Sequence, residues 1–264
     1  MIQNEYKYDE IGYAEKILSE GFQTKYYCTE LSLLTLYYRD FLKYKPAKRK
    51  EELYKFCEKY YPGFDPVVQY KIINRALRSV ARKGRLVSIG YVNIFEEDLR
   101  VIESYQCSYN CKKLMFTLLA YVRLDRYYRL LKFDKEYTAN IFYATSEISR
   151  RVRDMAGFPQ SVDIDLTYIP DLVSIGAVTV MPRARLYLNF MDKCPSFGEY
   201  AIEITDYDNV GVYYDYYNHI PKVCLCPSCG QPFKKKSNSQ MFCVRCAAEN
   251  RKEFMREYMN AYRA

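Results

Sequence analysis

The residues of this 264-residue chain best suited to chemistry are Cys226-Pro-Ser-Cys229-Gly230 and, thirteen residues on, Cys243-Val-Arg-Cys246. Each Cys-x-x-Cys pair can wrap as a tight knuckle on one metal. Four thiolates from two knuckles satisfy tetrahedral Zn²⁺, and the intervening length suits a short hairpin, the pattern of a zinc ribbon. Pro227 helps fix the first turn, and Gly230 supplies permissive backbone after the second ligand so that amides can point back at the sulfurs. The competing readings are four unrelated free cysteines and a disulfide framework. The second needs an oxidising compartment, and no secretory leader is expected to deliver the chain to one. Cys224, two residues before Cys226, is too close to join that knuckle without displacing a ligand and reads as a strand residue. With all four ligands Cys, one closed structural Zn²⁺ is expected rather than a catalytic one.

Other chemistry is thinly represented. A zinc-supported ββα-metal nuclease needs a general-base histidine, and the single histidine, His219, precedes the first knuckle beside Asn218 and Pro221. Cys–His catalysis fails on the same count. Asp163-Ile-Asp165 and Asp206-Tyr-Asp208 could hold Mg²⁺, but such pairs are common on acidic surfaces. No Gly-rich phosphate loop is present. The expectation is a protein that is not an enzyme.

The elements that must carry the cysteines follow from length and pattern. The length allows two or three small domains with real cores. No window approaches the ~20 apolar residues of a membrane-spanning helix, so a cytoplasmic protein without membrane contact is expected. Thirty tyrosines and no tryptophan are attributed to an AT-rich genome rather than to base stacking. The net charge of +8 is unevenly placed: +3 over 1–109, −1 over 110–221 and +6 over 222–264. A polyanion is therefore drawn first to the C-terminal segment.

The fold class expected is α+β and mostly helical, in four parts: a helical N-terminal domain over 1–109, a winged-helix-like module over 110–195, a connector over 196–221, and a four-cysteine zinc ribbon with a basic C-terminal helix over 222–264. In the first part, helices are expected over 30–44, ended by Pro46, over 48–61, and over 66–83, closed by Gly84. The third buries Ile73, Ala76, Leu77 and Val80 and gathers Lys71, Arg75, Arg78 and Arg82 on the opposite stripe. That stripe is either a solvated face or a ladder of phosphate contacts. A strand over 85–90 and a capping box at Asn93-Ile-Phe-Glu96 follow.

Over 110–195 the order is a long helix (111–131), a short one (146–156), a third (161–175) interrupted by Pro170, then strands 177–181 and 185–191 around a Pro182-Arg183-Ala184 tip. Three helices followed by a hairpin is the winged helix-turn-helix order. The third helix holds Asp163, Asp165 and Asp171 and no Lys or Arg, so its insertion into DNA is disfavoured. Either Arg150, Arg151, Arg153, Arg183 and Arg185 touch backbone phosphates, or the module docks a protein. In the last part Lys234, Lys235 and Lys236 are expected at the hairpin tip. With Arg245, Arg251, Lys252 and Arg256, they form a basic surface interleaved with Phe254 and Tyr258.

The segments Lys113-Leu-Met-Phe-Thr-Leu-Leu119, Leu172-Val-Ser-Ile-Gly176, Cys226-Pro-Ser-Cys-Gly230 and Phe242-Cys-Val-Arg-Cys-Ala247, with the Arg-rich tail, resemble uncharacterised proteins of phages, prophages and plasmids of low-GC Gram-positive bacteria. The resemblance implies a mobile-element protein with winged-helix and ribbon parts and supplies no activity. The expected role is non-enzymatic nucleic-acid binding, DNA before RNA, in replication or transcription control. The alternative is an adaptor or inhibitor that binds a host protein.

Overall fold

The computed structural model describes residues 7–79, 84–195 and 197–263. It is mixed α+β, dominated by helix with small sheets, and divides into two compact units. One comprises residues up to Gly90 together with Leu124–Thr138, the other Tyr91–Arg123 with everything from Ala139 on. The boundaries expected after residues 109, 195 and 221 all lie inside the second unit.

In the first unit, α1 (Glu10–Glu20), α2 (Tyr27–Asp40), α3 (Pro46–Tyr60) and α4 (Tyr70–Ser79) share one core. Helix α2 is apolar nearly all round, with Leu31, Leu33, Leu34 and Leu36 buried, and so takes the centre. Its buried Glu30 is satisfied by the Gln23 N–H at 3.0 Å and the Tyr13 hydroxyl at 3.4 Å. The helix stops at Asp40 rather than Tyr44. Lys43 turns left-handed (φ 56°), and the Tyr44 N–H bonds back to the Tyr38 carbonyl at 2.8 Å. Pro46 opens α3 instead of ending α2, because a missing N–H costs nothing in a first turn. Helix α4 begins at Tyr70, not residue 66, since the Asp65 carboxylate holds the Val67 and Val68 N–H groups in a turn. Residues 80–83, with Val80 of the expected buried stripe, lie outside the described residues.

The strand expected over 85–90 is reduced to one bridge, Asp9 to Ser88. This segment is tied instead to other parts of the unit. The Glu10 N–H donates to the Val87 carbonyl, the Ile89 N–H to that of Tyr8, and the Arg85 N–H to that of Lys132. Lys132 itself pairs with buried Glu10 at 2.5 Å.

The second unit starts with β1 (Val92–Phe95) and α5 (Glu96–Ser104). The expected capping box at Asn93 does not form, because Asn93 is in the strand; the helix starts two residues later with only the reciprocal half of a box, the Asp98 carboxylate accepting from the Phe95 N–H at 2.8 Å. Helix α6 (Tyr109–Phe133) gives its 109–123 portion to this unit and buries Leu114, Leu118, Leu119 and Val122 there. Then come β2 (Ile141–Tyr143), α7 (Ser146–Met155), α8 (Ile164–Thr167), α9 (Ile169–Ser174), β3 (Thr179–Met181) and β4 (Arg185–Tyr187). The third helical segment is thus two short helices meeting at Tyr168, with Pro170 in the first turn of α9. Strand β2 completes a three-stranded antiparallel sheet in the order β2-β4-β3. Strand β4 ends at Tyr187, and 189–193 form a 3₁₀ turn.

Residues 196–221, expected as a connector, contain β5 (Tyr200–Ile204), which pairs antiparallel with β1, and α10 (Val210–Tyr217). Helix α10 is anchored by buried Asp215, which accepts from Lys113 Nζ and the Tyr109 hydroxyl, both at 2.7 Å. The chain closes with β6 (Val223–Leu225), β7 (Pro232–Lys234) and α11 (Val244–Arg263).

Candidate metal centre and nucleic-acid interface

Strands β6 and β7 pair antiparallel, with Cys224 opposite Phe233 and Leu225 opposite Pro232. Between them the first knuckle makes the turn. The Cys226 N–H donates to the Gln231 carbonyl at 2.9 Å, and the Gly230 N–H donates back to the Cys226 carbonyl at 2.8 Å. Gly230 sits at φ +71° with open space where a Cβ would be, so the backbone angle, not crowding, calls for glycine. The second knuckle is the first turn of α11, closed by the Ala247 N–H on the Cys243 carbonyl.

The two knuckles bring the sulfurs of Cys226, Cys229, Cys243 and Cys246 within 4.8 Å of one another. Those of Cys229 and Cys243 are 3.8 Å apart. A tetrahedral site with metal–sulfur bonds of ~2.3 Å has sulfur–sulfur edges of ~3.8 Å, so these residues can hold one metal ion. Backbone amides also reach the sulfurs, from Cys243 to Cys226 at 3.5 Å and from Cys246 to Cys243 at 3.4 Å. Burial works against charge on Cys226, but the N–H groups of Cys243, Cys229 and Ser228 outweigh it and bring this thiol down to about 6. Cys224 lies in β6, outside the cluster. Among the described residues this is the one group of three or more His, Cys, Asp or Glu placed to hold a single ion. Asp163 and Asp206 are engaged in turns, accepting from the N–H groups of Asp165 and Asp208 at 3.0 Å. His219 is exposed at the end of α10.

The basic residues are placed less uniformly. Lys234 ends β7 and Lys235 and Lys236 follow it, so the three lie at the far end of the hairpin and not at its tip. The correction has a simple cause: Cys-x-x-Cys-Gly is itself the turn, and its strands must run to either side of it. Arg245, Arg251, Lys252 and Arg256 are exposed on α11, with Arg245 3.4 Å from Glu249 and Arg256 3.8 Å from Glu253. In the first unit Lys71, Arg75 and Arg78 are exposed on α4, while Arg82 lies outside the described residues.

Arg150 is exposed, with its Nε on the Ser146 carbonyl, and Arg151 is half-buried. Arg153 is turned onto its neighbours, Asp154 at 2.7 Å and the Gln160 carbonyl at 3.1 Å. Arg183 is exposed in a turn where it and Ala184 both have positive φ, and Arg185 Nε is held by the Pro182 carbonyl at 2.9 Å. The sequence reading missed the apolar exposure of this region, where Leu166, Val173 and Val180 reach solvent.

No family model, curated protein or solved structure matches the chain. Among the described residues no helix is long and apolar enough to cross a membrane.

Proposed function

We propose that this chain is a non-enzymatic nucleic-acid-binding protein of a mobile genetic element, acting on DNA before RNA in replication or transcription control. Its four-cysteine cluster carries one structural Zn²⁺. The observation that carries the reading is that Lys234, Lys236, Arg245, Arg251, Lys252 and Arg256 are all exposed, in the segment that carries the cluster and holds most of the excess charge. Tetrahedral all-thiolate ligation favours zinc and leaves no open position for catalysis. The zinc-ribbon reading of this segment is supported by the β6-β7 pairing around the first knuckle and by the four converging thiols. The winged-helix-like reading of residues 110–195 is supported by the element order and the β2-β4-β3 sheet, with Arg183 in the proposed wing.

A second reading applies to that module alone. In it Leu166, Val173 and Val180 are exposed, and so are the carboxylates of Asp163 and Asp171. Apolar and acidic exposure disfavours phosphate and suits a basic protein surface.

The test is a salt titration of zinc-loaded protein against duplex DNA, single-stranded DNA and RNA. Binding is expected to weaken linearly in log–log form. Replacing Lys234, Lys235 and Lys236 together by Ala is expected to lower the slope by about 0.9 for each phosphate no longer neutralised. Absence of binding to every polymer at low salt would retire the reading and leave protein docking.

A further inference from the structure

The segment around the four thiols carries side-chain charge of one sign. Residues 216–248 contain no Asp or Glu, yet hold Lys222, Lys234, Lys235, Lys236 and Arg245. The four lysines gather at the end of the β6-β7 hairpin opposite the first knuckle. Val223 and Lys234 form the last strand pair there, and one step beyond it the Lys235 N–H donates to the Lys222 carbonyl at 2.8 Å. Lys222 and Lys235 therefore stand directly across the hairpin from one another, about 5.5 Å apart at Cα, with Lys234 and Lys236 on either side of Lys235 in the chain. Lys222 is the one of the four that the sequence reading missed.

This arrangement works against the fold in two ways. Like charges directly opposite each other destabilise a hairpin, and among the described residues none of the four lysines has a carboxylate at ion-pair distance. Lys222 also sits in the left-handed region at φ 69°, where glycine is at ease and a lysine side chain is strained. No contact within the chain offsets either effect. An anion from outside would offset the repulsion, and would account for a cation where the backbone favours glycine. A zinc ion with four thiolates has a net negative charge, so a polyanion is steered to the lysine end of the hairpin and away from the knuckles.

Resting on the reading above, we infer that Lys222 and Lys235 clamp a backbone phosphate of the nucleic acid between them, with Lys234 and Lys236 serving neighbouring phosphates. An ammonium group is a compact point charge without the planar fork that matches a base edge. The clamp thus holds the polymer in place and carries no sequence information.

The test is Lys222→Gly in the full-length, zinc-loaded protein. It is titrated with salt against two unrelated sequences, each as duplex DNA, single-stranded DNA and RNA. The variant removes the charge and supplies the residue that the backbone angle favours. Amide-exchange protection in β6 and β7 is expected to hold or rise. The log–log salt slope is expected to fall by about 0.9, one phosphate no longer neutralised, and affinity to drop by the same factor for both sequences. Lys222→Arg is expected to keep the parent's slope. An unchanged slope in Lys222→Gly, with the parent binding, would overturn the clamp and leave nucleic-acid binding standing on the other residues. Lost protection in β6 and β7 would show that Lys222 serves the fold, and unequal losses between the two sequences would show that it reads bases; either result overturns the clamp. A parent that binds none of the polymers at low salt would instead retire the broader reading.

Discussion

Cys229 is the exposed member of the four-thiol cluster, with Cys226 and Cys246 buried and Cys243 between. Replacing it is the gentlest way to break the centre, because no core is disturbed. If the cluster holds the proposed zinc, Cys229→Ser is expected to lower the metal content towards zero by elemental analysis and to abolish amide-exchange protection in β6 and β7, since folding and ligation are coupled in such small sites. Cys224→Ser should leave both unchanged; equal metal loss in the two variants would mean that the ligand set is wrong. These thiols were legible in the sequence because knuckle spacing is a local property. The places of Lys234, Lys235 and Lys236 were not, because spacing alone does not say which side of the knuckle the hairpin turns on. The tie of Arg153 to Asp154 and Gln160 was not legible for a related reason, since it depends on how the chain leaves α7.

Elements with strong helical periodicity were readable, and so was the break at Pro170, a local steric effect. Strand β2 has three residues and β1 four, too short for alternation to stand out. The pairing of β1 with β5 joins residues more than a hundred apart, and so does the Lys113–Asp215 ion pair. That pair fixes α10 against α6, and the approach is tight. A Cβ on Gly211 would lie 2.3 Å from the Ala156 carbonyl oxygen and 2.6 Å from Lys113 Cε. Burial pulls the Lys113 ammonium below its usual pKa, opposed by Asp215. Asp215→Ala leaves that ammonium buried without a counter-ion and is expected to cost about 3–5 kcal/mol in urea unfolding. Lys113→Met/Asp215→Leu, which removes both charges, should cost less. A double variant as unstable as the single one would show that packing, not charge, carries the interaction.

For the whole molecule, acid response and chain order are the informative properties. Asp40 of the first unit accepts from Arg39 and from the Leu86 N–H. Burial raises its carboxyl pKa, but Arg39 and the Leu86 amide outweigh this and leave it lowered. A carboxylate lowered on folding adds stability that is fully present above its unfolded pKa of about 4 and is lost as pH falls through the lowered value. Asp40→Asn is therefore expected to melt below the parent at neutral pH and to converge with it in acid, measured by thermal melts across the acid range. A constant gap would refute the assignment. The arrangement of two discontinuous units was beyond sequence reading, because periodicity locates helices but not the company each half of a long helix keeps.

That discontinuity bears on how the chain is made. The first unit ends at Gly90 and resumes at Leu124–Thr138, which carries Lys132, the partner of buried Glu10. A ribosome adding roughly 5–20 residues per second needs about 2–10 s to pass from residue 90 to 138. For that interval the nascent helices α1 to α4 exist without the lysine that neutralises their buried carboxylate, so the Glu10 end of the unit must stay hydrated and open. The first residues out of the exit tunnel are thus not the first to finish folding.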